Sequence, residues 1–283
     1  MPVHFTRPAV AVALALSVGL VALPACKKTK PTVADSPAPS PTPTPAPTPV
    51  TPGPGTGTSV TDPAAPKGPI FRGTVPPLRA GVRLAAEENM KQIVFALHNY
   101  HDQYLTLPGG YADKTGKPGL SWRVAILPFL EQDNLFKSFK LDEPWDSEAN
   151  AKLIPLMPKL FAPPGQNTRG YTFTRGFIGA GTWLPLRTGT PGQALAGVSF
   201  AQISDGTSNT ILVADAADAV IWTRPEEIAF TPGTAPKVGG VFESGTVVGL
   251  GDGAVKFLPK GIDPKALADA IQIDDGRPAN LDK

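Results

Sequence analysis

The stretch Arg83-Leu-Ala-Ala-Glu-Glu-Asn-Met-Lys-Gln-Ile-Val-Phe-Ala-Leu-His-Asn-Tyr-His-Asp-Gln-Tyr104 decides how the chain folds. Within it Met90, Ile93, Leu97, Tyr100 and Tyr104 recur at alternating spacings of three and four, which predicts one apolar stripe along an α-helix. Glu87, Glu88, Lys91, Gln92, Asn99, Asp102 and Gln103 fill the remaining surface, and Glu87 stands four residues ahead of Lys91, the favourable order for an intrahelical ion pair. The helix therefore lies against other structure on one side and faces water on the other. Pro108-Gly109-Gly110 is the expected stop, because the residue before proline avoids the helical basin and glycine suits the following turn.

Downstream, Leu120 to Phe139 is dense enough in large apolar residues to be core, and partly helical around Pro128. Asp146-Ser147 reads as the cap of a short helix through Ala149 to Ile154. From Gly170 onward the texture changes to short β-rich runs between glycines and prolines. Candidate strands are Tyr171–Phe177, Val198–Ile203, Thr210–Ala214, Ala219–Trp222 and Val238–Phe242. A hairpin is expected from Thr246–Leu250 and Ala254–Leu258, closed near Asp252-Gly253, a pair that tolerates positive φ. Asp263-Pro264 opens a last helix through Ala270, with aspartate as cap and proline in the first position. The expected fold class is α+β, one long helix followed by a sheet.

Upstream, an uncharged, mostly apolar run from Ala9 to Leu23 follows Arg7. It is short for a membrane span but suits a secretory signal. It ends at Leu23-Pro24-Ala25-Cys26, which resembles a bacterial lipobox. That resemblance implies removal of residues 1–25 as a signal peptide and diacylglycerol attachment to Cys26, the lipid being the membrane anchor. An ordinary secretory signal with an incidental cysteine is the competing reading. Lys27 after the cysteine, by resemblance to sorting in two-membrane bacteria, favours the outer membrane. Residues 26–82 form the expected tether. The 34 prolines and 29 glycines of the chain are concentrated there in part. From Pro31 to Pro69 the composition offers too little apolar surface to offset ordering entropy, so a disordered spacer is expected, with a proline-recognition ligand as the alternative. At about 3.1 Å per residue such a segment reaches on the order of 100 Å.

A net charge of +2, with no basic run carrying interleaved aromatics, argues against a nucleic-acid partner. The single cysteine excludes an internal disulfide and a thiolate metal cluster. His98, His101 and Asp205 are candidate metal ligands, the two histidines lying three apart on one helix face. A stable zinc site needs three or four ligands, so imidazoles bonded to loops over the helix are the favoured reading and no cofactor is expected. Ser204 or Ser208 as a nucleophile would need a histidine base from the helix, and Gly-x-Ser-x-Gly is absent, so no catalytic residues are assigned and an enzyme is not expected. Asp205-Gly206-Thr207-Ser208-Asn209-Thr210 has oxygens enough for calcium, but a turn whose side chains bond back to the backbone is favoured. Trp183 and Trp222 would be a sugar or partner platform if exposed, and core otherwise.

Several of these segments together resemble the bacterial prepilin-like family of domain of unknown function 1559. They are Lys91-Gln92-Ile93 with Ala96 to Asp102, including Asn99, Tyr100 and His101; Ser121-Trp122-Arg123; Leu127 to Gln132; Leu141 to Asp146; Asp205 to Leu212; and Asp252-Gly253-Ala254-Val255-Lys256-Phe257-Leu258. The resemblance implies a pilin-like head over residues 83–283, a helix packed on an antiparallel sheet, with Asp252-Gly253 belonging to a processing-associated C-terminal motif. Family members usually start with a prepilin cleavage site and an apolar half-helix, replaced here by the lipobox and the tether. Where they carry a histidine before the Asp-Gly, the matching position is Phe242. Where they tend to carry two cysteines, the places are Ala86 and Pro163, as expected if the two were partners. The function implied is a non-enzymatic, lipid-anchored cell-envelope module with unidentified envelope partners. An extracytoplasmic solute-binding lipoprotein is the alternative.

Overall fold

Helix α1 spans Arg83–Tyr104, entered through a 3-10 turn at Ala80–Val82. Its stripe behaves as periodicity requires: Met90, Ile93, Leu97 and Tyr100 are buried, while Tyr104, the last of the series, is half exposed. The helix ends one turn before Pro108, at Leu105, whose left-handed backbone (φ 60°) lets its N–H donate to the His101 carbonyl at 2.7 Å. The computed structural model describes residues 80–234, 236–277, 279 and 281. The signal peptide, Cys26 and the tether up to residue 79 lie outside them.

Strands β1 (Pro108–Ala112) and β2 (Pro118–Leu120) follow directly. Short helices α2 (Trp122–Ala125), α3 (Asp133–Ser138) and α4 (Glu148–Ala151) then carry the chain across the end of α1, with a 3-10 turn at Leu127–Leu130 around Pro128. Ser121 caps α2 and Ser147 caps α4, each accepting a backbone N–H at 3.2 Å. The remaining strands are β3 (Tyr171–Ile178), β4 (Ala194–Ala196), β5 (Ile211–Ile221), β6 (Ile228–Ala229), β7 (Gly245–Leu250) and β8 (Val255–Pro259), and α5 (Pro264–Asp269) comes last, capped by Asp263.

Five strands form the main sheet in the order β6-β3-β5-β7-β8, antiparallel except for the β3–β6 pair. A second sheet has the order β2-β1-β4. Helix α1 covers one face of the main sheet, where Ile93, Val94 and Leu97 join Val213 and Val247 in one core. The opposite face packs Ala214, Val248 and Leu258 against Leu267 of α5. Adjacent residues Val247 and Val248 thus serve different cores, and every residue of β7 is buried. Gly249 sets the distance between helix and sheet: a methyl group added there would meet Val94 Cγ2 at 2.3 Å.

Four expected strands are corrected. Val198–Ile203 is a 3-10 turn at Phe200–Gln202, because the Gln202 side chain accepts the Ser199 N–H at 2.8 Å and curls the backbone. Thr210–Ala214 and Ala219–Trp222 are parts of the single strand β5, with exposed Ala217 and Asp218 at its middle. Val238–Phe242 forms no strand, only bridge residues at Val238, paired with Ala216, and at Phe242, since Gly239 and Gly240 both take positive φ.

Candidate functional site

The residues singled out in the sequence gather at the end of the sheet where α1 finishes. His98 and His101 flank the ring of Phe200, with centroids 4.6 and 4.3 Å away. The Phe200 backbone N–H donates to His101 Nε2 at 3.2 Å. An accepting Nε2 carries no proton, so His101 is the neutral tautomer protonated on Nδ1. Burial holds its pKa below the usual histidine value; the Asp102 charge opposes that shift and His98 adds to it. His98 Nε2 is buried without a hydrogen-bond partner, and a methyl group on Gly253 would lie 3.8 Å from it. The ring therefore reaches the Asp252-Gly253 turn, where Gly253 takes φ 93° and Asp252 accepts the Ala254 N–H at 2.9 Å. Tyr100 is buried and contacts the rings of Tyr104 and Phe129, and Asn99 is half-buried on the adjoining helix face.

The Asp205 segment ties three parts of the chain together. Its two carboxylate oxygens accept the backbone N–H groups of Asp275 and Gly276, each at 2.8 Å. Asn209 donates back to the Asp205 carbonyl at 3.0 Å, and Thr210 Oγ1 to the Gly206 carbonyl at 3.1 Å. Gly206 supplies φ 94° for the turn, and Thr207 to Asn209 form a 3-10 turn packed against Gly251 of the hairpin. Ser208 is exposed in that turn, and Ser204 Oγ donates to the Ile273 carbonyl at 3.4 Å, not to an imidazole. Among the described residues no three His, Cys, Asp or Glu side chains come together in a metal-binding group. The arrangement is a lock: polar side chains satisfy backbone donors and join the helix end, the 200–210 turns, the hairpin and the C-terminal segment.

The other motif residues are structural as well. Arg123 is fully buried and its Nη1 meets both Glu227 carboxylate oxygens at 2.9 and 3.1 Å, while Nε donates to the Trp222 carbonyl at 2.9 Å. Glu227 also accepts the Gly176 N–H at 2.7 Å. Asn150 is buried and spans the Leu141–Asp146 segment, accepting the Lys140 N–H and donating to the carbonyls of Lys140, Glu143 and Pro144 at 2.9 to 3.1 Å. Trp183 and Trp222 are core, their indole N–H groups bonded to the Leu212 and Ile154 carbonyls at 2.6 and 3.0 Å. Ala86 and Pro163 line one small cavity, with Asp215 and Thr174 on its wall. Sequence reasoning reached Arg123 only through a motif and missed Asn150, whose partners lie in the loop just before it, as well as Glu227 and Asp215, whose importance comes from long-range contacts.

A fold of one long helix against an antiparallel-dominated sheet, locked at its end by a histidine and aspartate motif, defines the class: an α+β domain. The model of a family described as protein of unknown function (DUF1559) matches residues 80–163, and over that stretch the chain is similar to this family. The match runs from the entry of α1 to just past Phe161 and includes Asn99, Tyr100, His101 and Arg123. The Asp205 and Asp252-Gly253 segments lie beyond it. No curated protein and no solved structure matches the chain.

Proposed function

We propose that this is a non-enzymatic, lipid-anchored cell-envelope protein whose pilin-like head works as a structural or interaction module. The observation that supports this reading best is the use made of the polar motif. His101 and Asp205, the groups best suited to chemistry, are committed to backbone N–H groups, which stiffens a head and leaves little free for proton transfer or metal ligation. Among the described residues no helix is long and apolar enough to cross a membrane. The anchor in this reading is Cys26 in Leu23-Pro24-Ala25-Cys26, with outer-membrane sorting favoured by Lys27 and partners among envelope proteins.

Metabolic labelling with a palmitate analogue tests the anchor: the wild type takes up label and Cys26→Ala does not. Equal labelling of both removes the anchor from the proposal. Cross-linking in envelope fractions, followed by recovery of the head, identifies the partner. Turnover of a substrate by the purified chain would refute the non-enzymatic reading.

A further inference from the structure

Going beyond that reading, we propose that the loop from Ala162 to Gly170 forms a binding site for a small organic carboxylate with a compact apolar body. The loop, the first turns of α1 and the segment around Met157 enclose a groove of about 640 Å3, within the range of about 300–1,000 Å3 usual for small-molecule sites. Its walls are of two kinds. Ala85, Pro155, Met157 and Pro163 give apolar surface, whereas Lys159, Arg169, Asn89 and Gln166 give polar groups. Among the described residues, the only charged ones lining it are the cations Lys159 and Arg169. Both are exposed, and neither makes an ion pair among the described residues. That field favours an anion, and a guanidinium and an ammonium lining one groove suit a planar carboxylate.

The groove is preformed. Gln166 N–H donates to the Pro163 carbonyl at 3.0 Å, Gly165 takes φ 75°, and the Asn167 side chain accepts the Arg169 N–H at 3.1 Å. Gly170 fixes the far end, its carbonyl accepting the Trp222 N–H at 3.0 Å. Within this loop Arg169 holds φ 51°, a left-handed conformation that glycine adopts at no steric cost and arginine does not. The Asn167 bond and this backbone hold Arg169, whose guanidinium makes no ion pair among the described residues, at the rim of the groove.

The test follows backbone amide resonances of residues 165–170 and the melting temperature of the full chain while isovalerate, isovaleramide or inorganic phosphate is added. Isovalerate should give saturable shifts confined to this loop, and the neutral amide should not. Arg169→Gly and Lys159→Gln should each weaken binding roughly tenfold, the scale of one lost hydrogen bond to a charged group. Arg169→Gly should melt at or above the wild-type temperature, because glycine relieves the backbone; that separates lost binding from lost folding. Absence of saturation with isovalerate, equal shifts from the amide, or unchanged binding in both variants would overturn the site. Phosphate binding as tightly as isovalerate would overturn the apolar-body assignment.

Discussion

Two carboxylates are buried in the main sheet, Glu227 beside β6 and Asp215 in the middle of β5, and they are treated in opposite ways. Glu227 meets a guanidinium at 2.9 Å and a backbone N–H at 2.7 Å. Asp215 receives one side-chain hydrogen bond, from Thr174 Oγ1 at 3.1 Å. Burial without a cationic partner pushes its pKa up from 3.8 to about 7, against the lowering effect of that hydrogen bond. The lesson is that burial alone does not fix the state of an acid. A charge keeps its form when its partner is buried with it; otherwise it sheds the charge.

The largest effect should come from breaking the paired acid. Arg123→Ala strands Glu227 in the core and should cost about 3–5 kcal/mol, whereas joint replacement by Arg123→Met and Glu227→Leu should recover much of that loss. Urea unfolding of the two proteins checks both halves. A smaller effect belongs to Asp215, with its sign set by the raised pKa. The stabilisation tied to its neutral form is fully present below the unfolded value near 4 and is lost as pH rises through the folded value near 7. The total change is on the order of a few kcal/mol. Asp215→Asn, which cannot ionise, should flatten that slope and outlast the wild type at pH 8; parallel melting curves of the two from pH 4 to 8 would discard the assignment. The smallest effect is expected from Thr174→Val, which keeps side-chain volume and removes the one hydrogen bond. It should cost about 1 kcal/mol, more above pH 7 than below, when measured by urea unfolding at both pH values.

The helix was legible because its periodicity is local: Met90, Ile93, Leu97 and Tyr100 announce a buried face without knowledge of what covers it. The hairpin at Asp252-Gly253 was legible for a similar reason, since the turn chemistry sits in adjacent residues. Phe200–Gln202 misled because apolar content resembling a strand outweighed the Ser-x-x-Gln cap. Strands β1 and β2 went unread because Pro108-Gly109-Gly110 signals only the end of a helix, and pairing with β4 needs contacts more than 80 residues away in sequence. At the candidate site, the histidines and the Asp205 turn stood out by residue type. Glu227 and Asp215 did not, because a glutamate two residues after Pro225 and an aspartate among alanines look solvent-facing until the sheet closes over them. Lys159 and Arg169 escaped notice too, since neither a groove nor a left-handed arginine leaves a mark in composition.

Neither Ala86 nor Pro163 carries sulfur, although both line the same small cavity between α1 and the 162–170 loop. Among the described residues the front of the helix is held by packing, with Arg83 lying over the Phe257 ring at 4.1 Å and Ala86 and Met90 packed beneath. A pull arriving through the chain ahead of Ala80 loads those contacts first and in series. Loaded there, the domain should yield as adhesive tape does, from its leading edge and one turn at a time, instead of as a bolted joint that must shear everywhere at once.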